Sequence, residues 1–188
     1  MMAFKRYEKE TIEPFAISVV SKSFNSKYSE YIQPPNTDNF DFVSPDGKSG
    51  VEVVTVLSEN EKNAYVYEKL LSKGNQNLSK EKVKQATFDE DGRIRWYYGG
   101  SLREIIKSIQ IAVETKDKKA KNRKNFEKYK SIDLCVCVQD GSLMDLCSYQ
   151  NAGFDFENFV FDNIFFITPS CFFRYSASCG FQEYTRLI

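Results

Sequence analysis

The apolar positions of this chain change period several times, and each change marks an element. Over residues 11–24, Ile12, Phe15, Ala16 and Val19 recur at helical spacing. This predicts an amphipathic helix with Thr11 as N-cap and Pro14 in its first turn. Residues 25–37, rich in Ser, Asn, Tyr and Pro, read as a loop. The pattern then tightens to Phe40-Asp41-Phe42-Val43, a Pro45-Asp46-Gly47 turn, and a β-branched run from Val51 to Leu57. That is a hairpin whose second strand is covered on both faces. Ala64, Tyr67, Leu70 and Leu71 mark a further helix closed by Gly74, and Ser79 can cap a short one after it. Phe88 to Tyr98, with Asp91-Gly92 inside it, gives a second hairpin signal. After Gly99-Gly100, Ser101 and Glu104 form a capping box before a strong helix with Ile105, Ile106, Ile109, Ala112 and Val113 on its buried face. Ile132 to Val138 is a second buried strand, residues 139–153 are a polar connection with room for a short helical turn, and Ile164 to Thr168 is a strand ended by Pro169.

These elements predict an α/β protein with a central mixed sheet flanked by helices, one domain over residues 1–188. Its core lies roughly at 8–138, followed by an aromatic-rich extension at 139–188. The phenylalanines of that extension fit a core or a lid more simply than a recognition surface. The N-terminus lacks the apolar run of a signal peptide, and no stretch has the length of a membrane span, so a soluble, cytoplasmic protein is expected.

Composition narrows the chemistry chiefly by subtraction. With no histidine, Ser/His and Cys/His triads are excluded, along with most zinc and haem sites. The five cysteines are an odd number without a CxxC pair, which suggests neither a disulfide framework nor a zinc ribbon. Lys+Arg and Asp+Glu balance at 26 each, so net charge says nothing of partners. The balance is local, however: residues 116–130 carry eight basic residues against two acidic ones. That run reads equally as a solvated helix end or as a phosphate-facing patch.

The charges inside apolar stretches are the candidate chemistry. The first hairpin can bring Asp41 and Glu52 side by side, where they would repel unless a cation lay between them. Two carboxylates on rigid strands suit a hard divalent ion, whereas both could also be solvated strand ends. The helical face through Ile109, Ala112 and Val113 continues to Lys116 and, one turn on, to Lys119. Glu8 or Glu13 could reach the same site from the first helix, although an exposed first-turn carboxylate is the simpler expectation. Gln110 has an equal claim to assist or to be merely exposed. Cys135 and Cys137 share a strand face and read as small hydrophobes.

The order helix, acidic hairpin, insertion, long helix, apolar strand resembles the PD-(D/E)xK nuclease-like superfamily over roughly residues 8–138. A subset of bacterial members pairs a Gly-Val-Glu-Val-Thr-like strand with a helix carrying Ala-Ile-x-x-Lys-x-x-Lys, a tyrosine and an apolar strand. The matches here are Gly50-Val51-Glu52-Val53-Val54-Thr55, then Ala112-Val113 with Lys116 and Lys119, then Tyr129 and Asp133-Leu134. The departure is Val54, which stands where the signature lysine falls. The resemblance implies a restriction endonuclease-like core and hydrolysis of phosphodiester bonds. It implies Mg²⁺ or Mn²⁺ held by Asp41, Glu52 and the carbonyl of Val53, with Lys116 or Lys119 as the migrated lysine. Nucleic acid, DNA before RNA, would be the partner. Two alternatives stand beside it: a catalytically inactive member that binds nucleic acid or protein, and an unrelated α/β protein whose C-terminal aromatics form an exposed interface.

Overall fold

The computed structural model describes residues 9–35, 38–57, 87–88, 94–95, 101–138, 145–156, 158–169 and 171–186. In chain order the elements are helix α1 (Lys9–Ser23), strands β1 (Phe42–Val43), β2 (Ser49–Val56), β3 (Thr87–Phe88) and β4 (Ile94–Arg95), helix α2 (Leu102–Lys121), strand β5 (Ser131–Val138), helix α3 (Leu146–Asn151), and strands β6 (Asn163–Ile167), β7 (Cys171–Ser176) and β8 (Gly180–Arg186). Six strands form one mixed sheet in the order β1-β2-β5-β6-β7-β8. β2, β5 and β6 run parallel, and the outer pairs are antiparallel. The expected α/β architecture, a mixed sheet flanked by helices, is therefore what the chain adopts.

Strict alternation assigns each strand residue to a layer. On β5, Ile132, Leu134, Val136 and Val138 face α2 and join Ile105, Ile109, Val113 and Ala120. Cys135 and Cys137 face the other way, with Ile12, Ala16, Val19 and Val20 of α1. By the same parity Glu52 shares the α2 face of β2 with Val54 and Val56, while Val51 and Val53 lie under α1. The C-terminal phenylalanines fill both layers: Phe156, Phe161, Phe165, Phe166, Phe172 and Phe173 are all buried. None of the phenylalanines after residue 150 is among the exposed large apolar residues, so the contiguous aromatic surface required by an interface is absent among the described residues.

Several boundaries differ from the expected ones. Helix α1 begins at Lys9, so Thr11 is inside the helix rather than its cap, and Pro14 lies in the second turn. Residues 25–37 are not wholly loop: Asn25 caps a 3-10 turn at Ser26–Glu30, and Ile32 makes an isolated bridge to Val43. β3 and β4 form the ladder of the second expected hairpin, Phe88 opposite Ile94. The helices expected after residues 58 and 79 lie outside the described residues. The Ser101–Glu104 capping box is present at the head of α2, and Asp145 caps α3. Residues 171–186, to which the sequence pattern assigned no element, are the β7–β8 hairpin, turned at Gly180 with φ 66°. Among the described residues no helix is long and apolar enough to cross a membrane.

Candidate functional site at the open edge of the sheet

The first hairpin is pinned by its turn. Ser44 and the backbone of Lys48 both donate to Asp46, and Gly47 adopts φ 68°. Pairing then stops after Phe42↔Val51, because the chain bends away and the Asp41 carboxylate takes over: Val53 N–H donates to its Oδ2 at 2.8 Å. A side-chain oxygen thus ends the ladder where a backbone carbonyl would continue it. Beyond that point β2 has no neighbour on this side among the described residues. A cavity of about 310 Å³ lies along the open edge, between the two helical layers. It is lined by Ile12 and Glu13 of α1, Asp41, Val53 to Thr55 of β2, and Lys116 and Lys119 of α2.

Two acidic and three basic side chains converge here. Lys116 Nζ lies 2.5 Å from Glu52 Oε2 and 3.5 Å from Asp41 Oδ2, so one ammonium bridges the pair. Lys119 Nζ lies 3.6 Å from the same Glu52 oxygen, from a half-exposed side chain. Arg123, just past the end of α2, donates to Glu52 Oε1 and to the carbonyl of Asn39. Glu52 has no exposed surface at all, which excludes a solvated strand end. A buried carboxylate is tolerable only when paired this fully. Its neighbours explain the local sequence. The Arg123 guanidinium stacks 4.7 Å above the Phe40 ring, and Tyr129 meets that ring edge-on at 4.6 Å. A Cβ built at Gly50 would overlap the Phe40 ring, so this glycine makes the space that Phe40 occupies.

Asp41, Glu52, Lys116 and Lys119 are therefore brought together as the helical and strand periods predicted. Glu13 joins them at the cavity wall and is buried, accepting from Gln33 Nε2 at 3.0 Å, in place of the exposed first-turn carboxylate expected for it. Glu8 lies outside the described residues. Gln110 stays away, bonded to Glu114 and facing a groove with Leu102 and Phe154. Asp133 turns to the α1 face, where Tyr28 donates to it at 2.7 Å and Asn163 at 2.6 Å, and burial holds its carboxyl above the usual aspartate range. Nothing in the sequence pattern marks Arg123 as inward-facing, since it sits in the basic run and beyond the helical period that ends at Lys121. Lys121 is also partly engaged, 2.8 Å from the buried Asp117. Lys118, Lys124 and Lys130 remain exposed.

The donor set can be tested against a divalent cation. The two carboxylates already share one cation, the Lys116 ammonium, and all the oxygens concerned are hard donors suited to Mg²⁺ or Mn²⁺. In an extended strand N–H and C=O of one residue point to the same side, so the Val53 carbonyl faces the open edge to which its N–H donates. Among the described residues no group of three or more Cys, Asp or Glu side chains is disposed to hold a metal. Two carboxylates and a carbonyl would thus be the protein's share, and Mg²⁺ commonly keeps several waters. The residues fit on those terms. Comparisons with protein-family models, curated proteins and solved structures found no match for the chain.

Proposed function

We propose that the protein is a metal-dependent nuclease of the PD-(D/E)xK type, with a restriction endonuclease-like core, that hydrolyses phosphodiester bonds of nucleic acid in the cytoplasm. The observation carrying this reading is the meeting of Asp41, Glu52 and Lys116 at the edge of β2 that has no partner among the described residues, beside a cavity open to solvent. Asp41, Glu52 and the Val53 carbonyl would hold Mg²⁺ or Mn²⁺. When bound, the ion supplies charge neutralisation at a phosphoryl oxygen and a water of lowered pKa. Lys116 and Lys119 line the cavity and can orient that water or offset the charge that develops on phosphate. Exposed Lys118, Lys124 and Lys130 would neutralise backbone phosphates, making binding salt-sensitive and largely sequence-independent, with DNA the first substrate to try.

A second reading, a catalytically inactive binding module of the same fold, is favoured by the complete burial of Glu52 among three cations and by Val54 at the signature lysine position. Calorimetric Mn²⁺ titration and cleavage of labelled single- and double-stranded DNA and RNA separate the two. The nuclease reading expects Mn²⁺ binding and cleavage by the wild type, with both lost in Glu52→Gln. A wild type that binds nucleic acid but neither takes up Mn²⁺ nor cuts any substrate is the binding module.

A further inference from the structure

The cations around Glu52 are not equivalent. Arg123 is 6% exposed, held by the Asn39 carbonyl and stacked on the buried Phe40, so it cannot leave without dismantling that packing. Lys116, with its side chain 15% exposed, makes its ion pairs through its ammonium end, at the wall of the cavity. The cavity that Lys116 lines is also walled by Glu13, whose carboxylate accepts from Gln33. Glu52 Oε1 belongs to the fixed arginine, which leaves Glu52 Oε2, approached also by Lys119 at 3.6 Å, and the Asp41 carboxylate, whose Oδ2 accepts from Val53 N–H, for a further cation. Lys116 sits on both of them.

A divalent ion bound to those oxygens at about 2.0–2.6 Å would lie almost where the ammonium lies, and two cations at that separation repel strongly. We infer that Lys116 is an internal competitor for the divalent ion. It holds the acidic pair closed in the metal-free protein and swings into the cavity when the metal enters. Metal occupancy and the bridging position of Lys116 are then mutually exclusive. The ammonium turns from the acidic pair towards the rest of the cavity it lines, where a phosphate would lie, only once the ion is in place. This rests on the metal reading above and adds a switch to it.

The test is Mn²⁺ affinity by calorimetry for wild type, Lys116→Met and Lys116→Met/Glu52→Gln, with melting temperatures with and without Mn²⁺. Removing the competitor is expected to tighten Mn²⁺ binding by about tenfold or more. It should also lower the melting temperature of the metal-free variant and enlarge the rise that Mn²⁺ produces, since the ion replaces the lost counter-charge. Glu52→Gln should abolish the gain. In the wild type, saturating Mn²⁺ should increase acylation of Lys116 by an amine-reactive reagent, relative to exposed Lys118, as read by peptide mass. This arm decides the matter if Lys116→Met does not fold. Wild-type Mn²⁺ binding that is matched or weakened in Lys116→Met overturns the switch and leaves the metal reading standing, as does Lys116 acylation that Mn²⁺ leaves unchanged or lowers. Absence of Mn²⁺ binding from both proteins ends the metal reading and the switch together.

Discussion

Arg123→Ala should be the most destabilising truncation in the basic run, although the sequence presents this residue as one surface cation among many. Breaking a fully buried ion pair by removing one partner costs about 3–5 kcal/mol. Here Lys116 and Lys119 still reach the other oxygen of Glu52, so roughly half of that should apply, about 2 kcal/mol. Loss of the guanidinium over Phe40 adds about 0.5–1 kcal/mol. The total near 3 kcal/mol corresponds to a fall in Tm of roughly 6–12 °C for a chain of this length. Urea unfolding of wild type, Arg123→Ala, Glu52→Gln and the double variant measures it. With the carboxylate neutralised the arginine matters less, so the cycle should return a coupling of about 1–2 kcal/mol. Lys121→Ala is the internal contrast: its partner Asp117 is buried but the lysine is 46% exposed, and the loss should stay below about 1 kcal/mol. An Arg123→Ala cost within about 0.5 kcal/mol of zero, or one undiminished in the Glu52→Gln background, would refute the burial argument.

Gly50→Ala should cost about 1–3 kcal/mol by forcing the new Cβ into Phe40, and less in a Phe40→Leu background; equal costs in the two backgrounds would assign the effect elsewhere. Asp133 has a carboxyl raised by burial, so the folded state holds its proton more tightly than the unfolded chain. The stability it contributes is complete below the ordinary value of 3.8 and disappears as pH rises through the folded value. Asp133→Asn should therefore flatten the urea midpoint against pH above 3.8, and parallel curves for the two proteins would refute this. Under native conditions a thiol reagent should modify exposed Cys147 and Cys179, the latter activated by hydrogen bonds from Ser178 and Ser176. Cys135 and Cys137 should react only after denaturation, the Cys137 thiol being pushed up to about 12 by burial; peptide mass mapping reads each site.

What could be read in advance divides along physical lines. Strand β5 and the buried stripe of α2 announce themselves because the residues that fill the core recur at the period of the backbone. Lys116 inherits its direction from Ile109, Ala112 and Val113, so its approach to Glu52 follows from helix geometry alone. Arg123 follows the C-cap Asn122, where that geometry ends, and only the tertiary meeting with Glu52 and Phe40 reveals its direction. Asn39 is equally silent, since it contributes a backbone carbonyl that any residue carries. Buried Glu13 accepts from Gln33, the residue after the Ile32–Val43 bridge, a tertiary contact that no local period announces. Strands β7 and β8 carry mixed faces, with Arg174, Gln182 and Tyr184 bonded to one another, and their alternation is weaker than that of β5.

The brevity of β1 has a consequence for how the molecule coexists with its neighbours. Among the described residues β2 is left half unpaired on this side, and such an edge invites another chain to add to the sheet, a common route to aggregation. Along β2 the vacated side is instead bordered by Glu13, Asp41, Lys116 and Lys119, and an incoming strand would have to strip water or counter-ions from all four. The same charges that shape the cavity thus oppose the approach of a foreign strand to this edge.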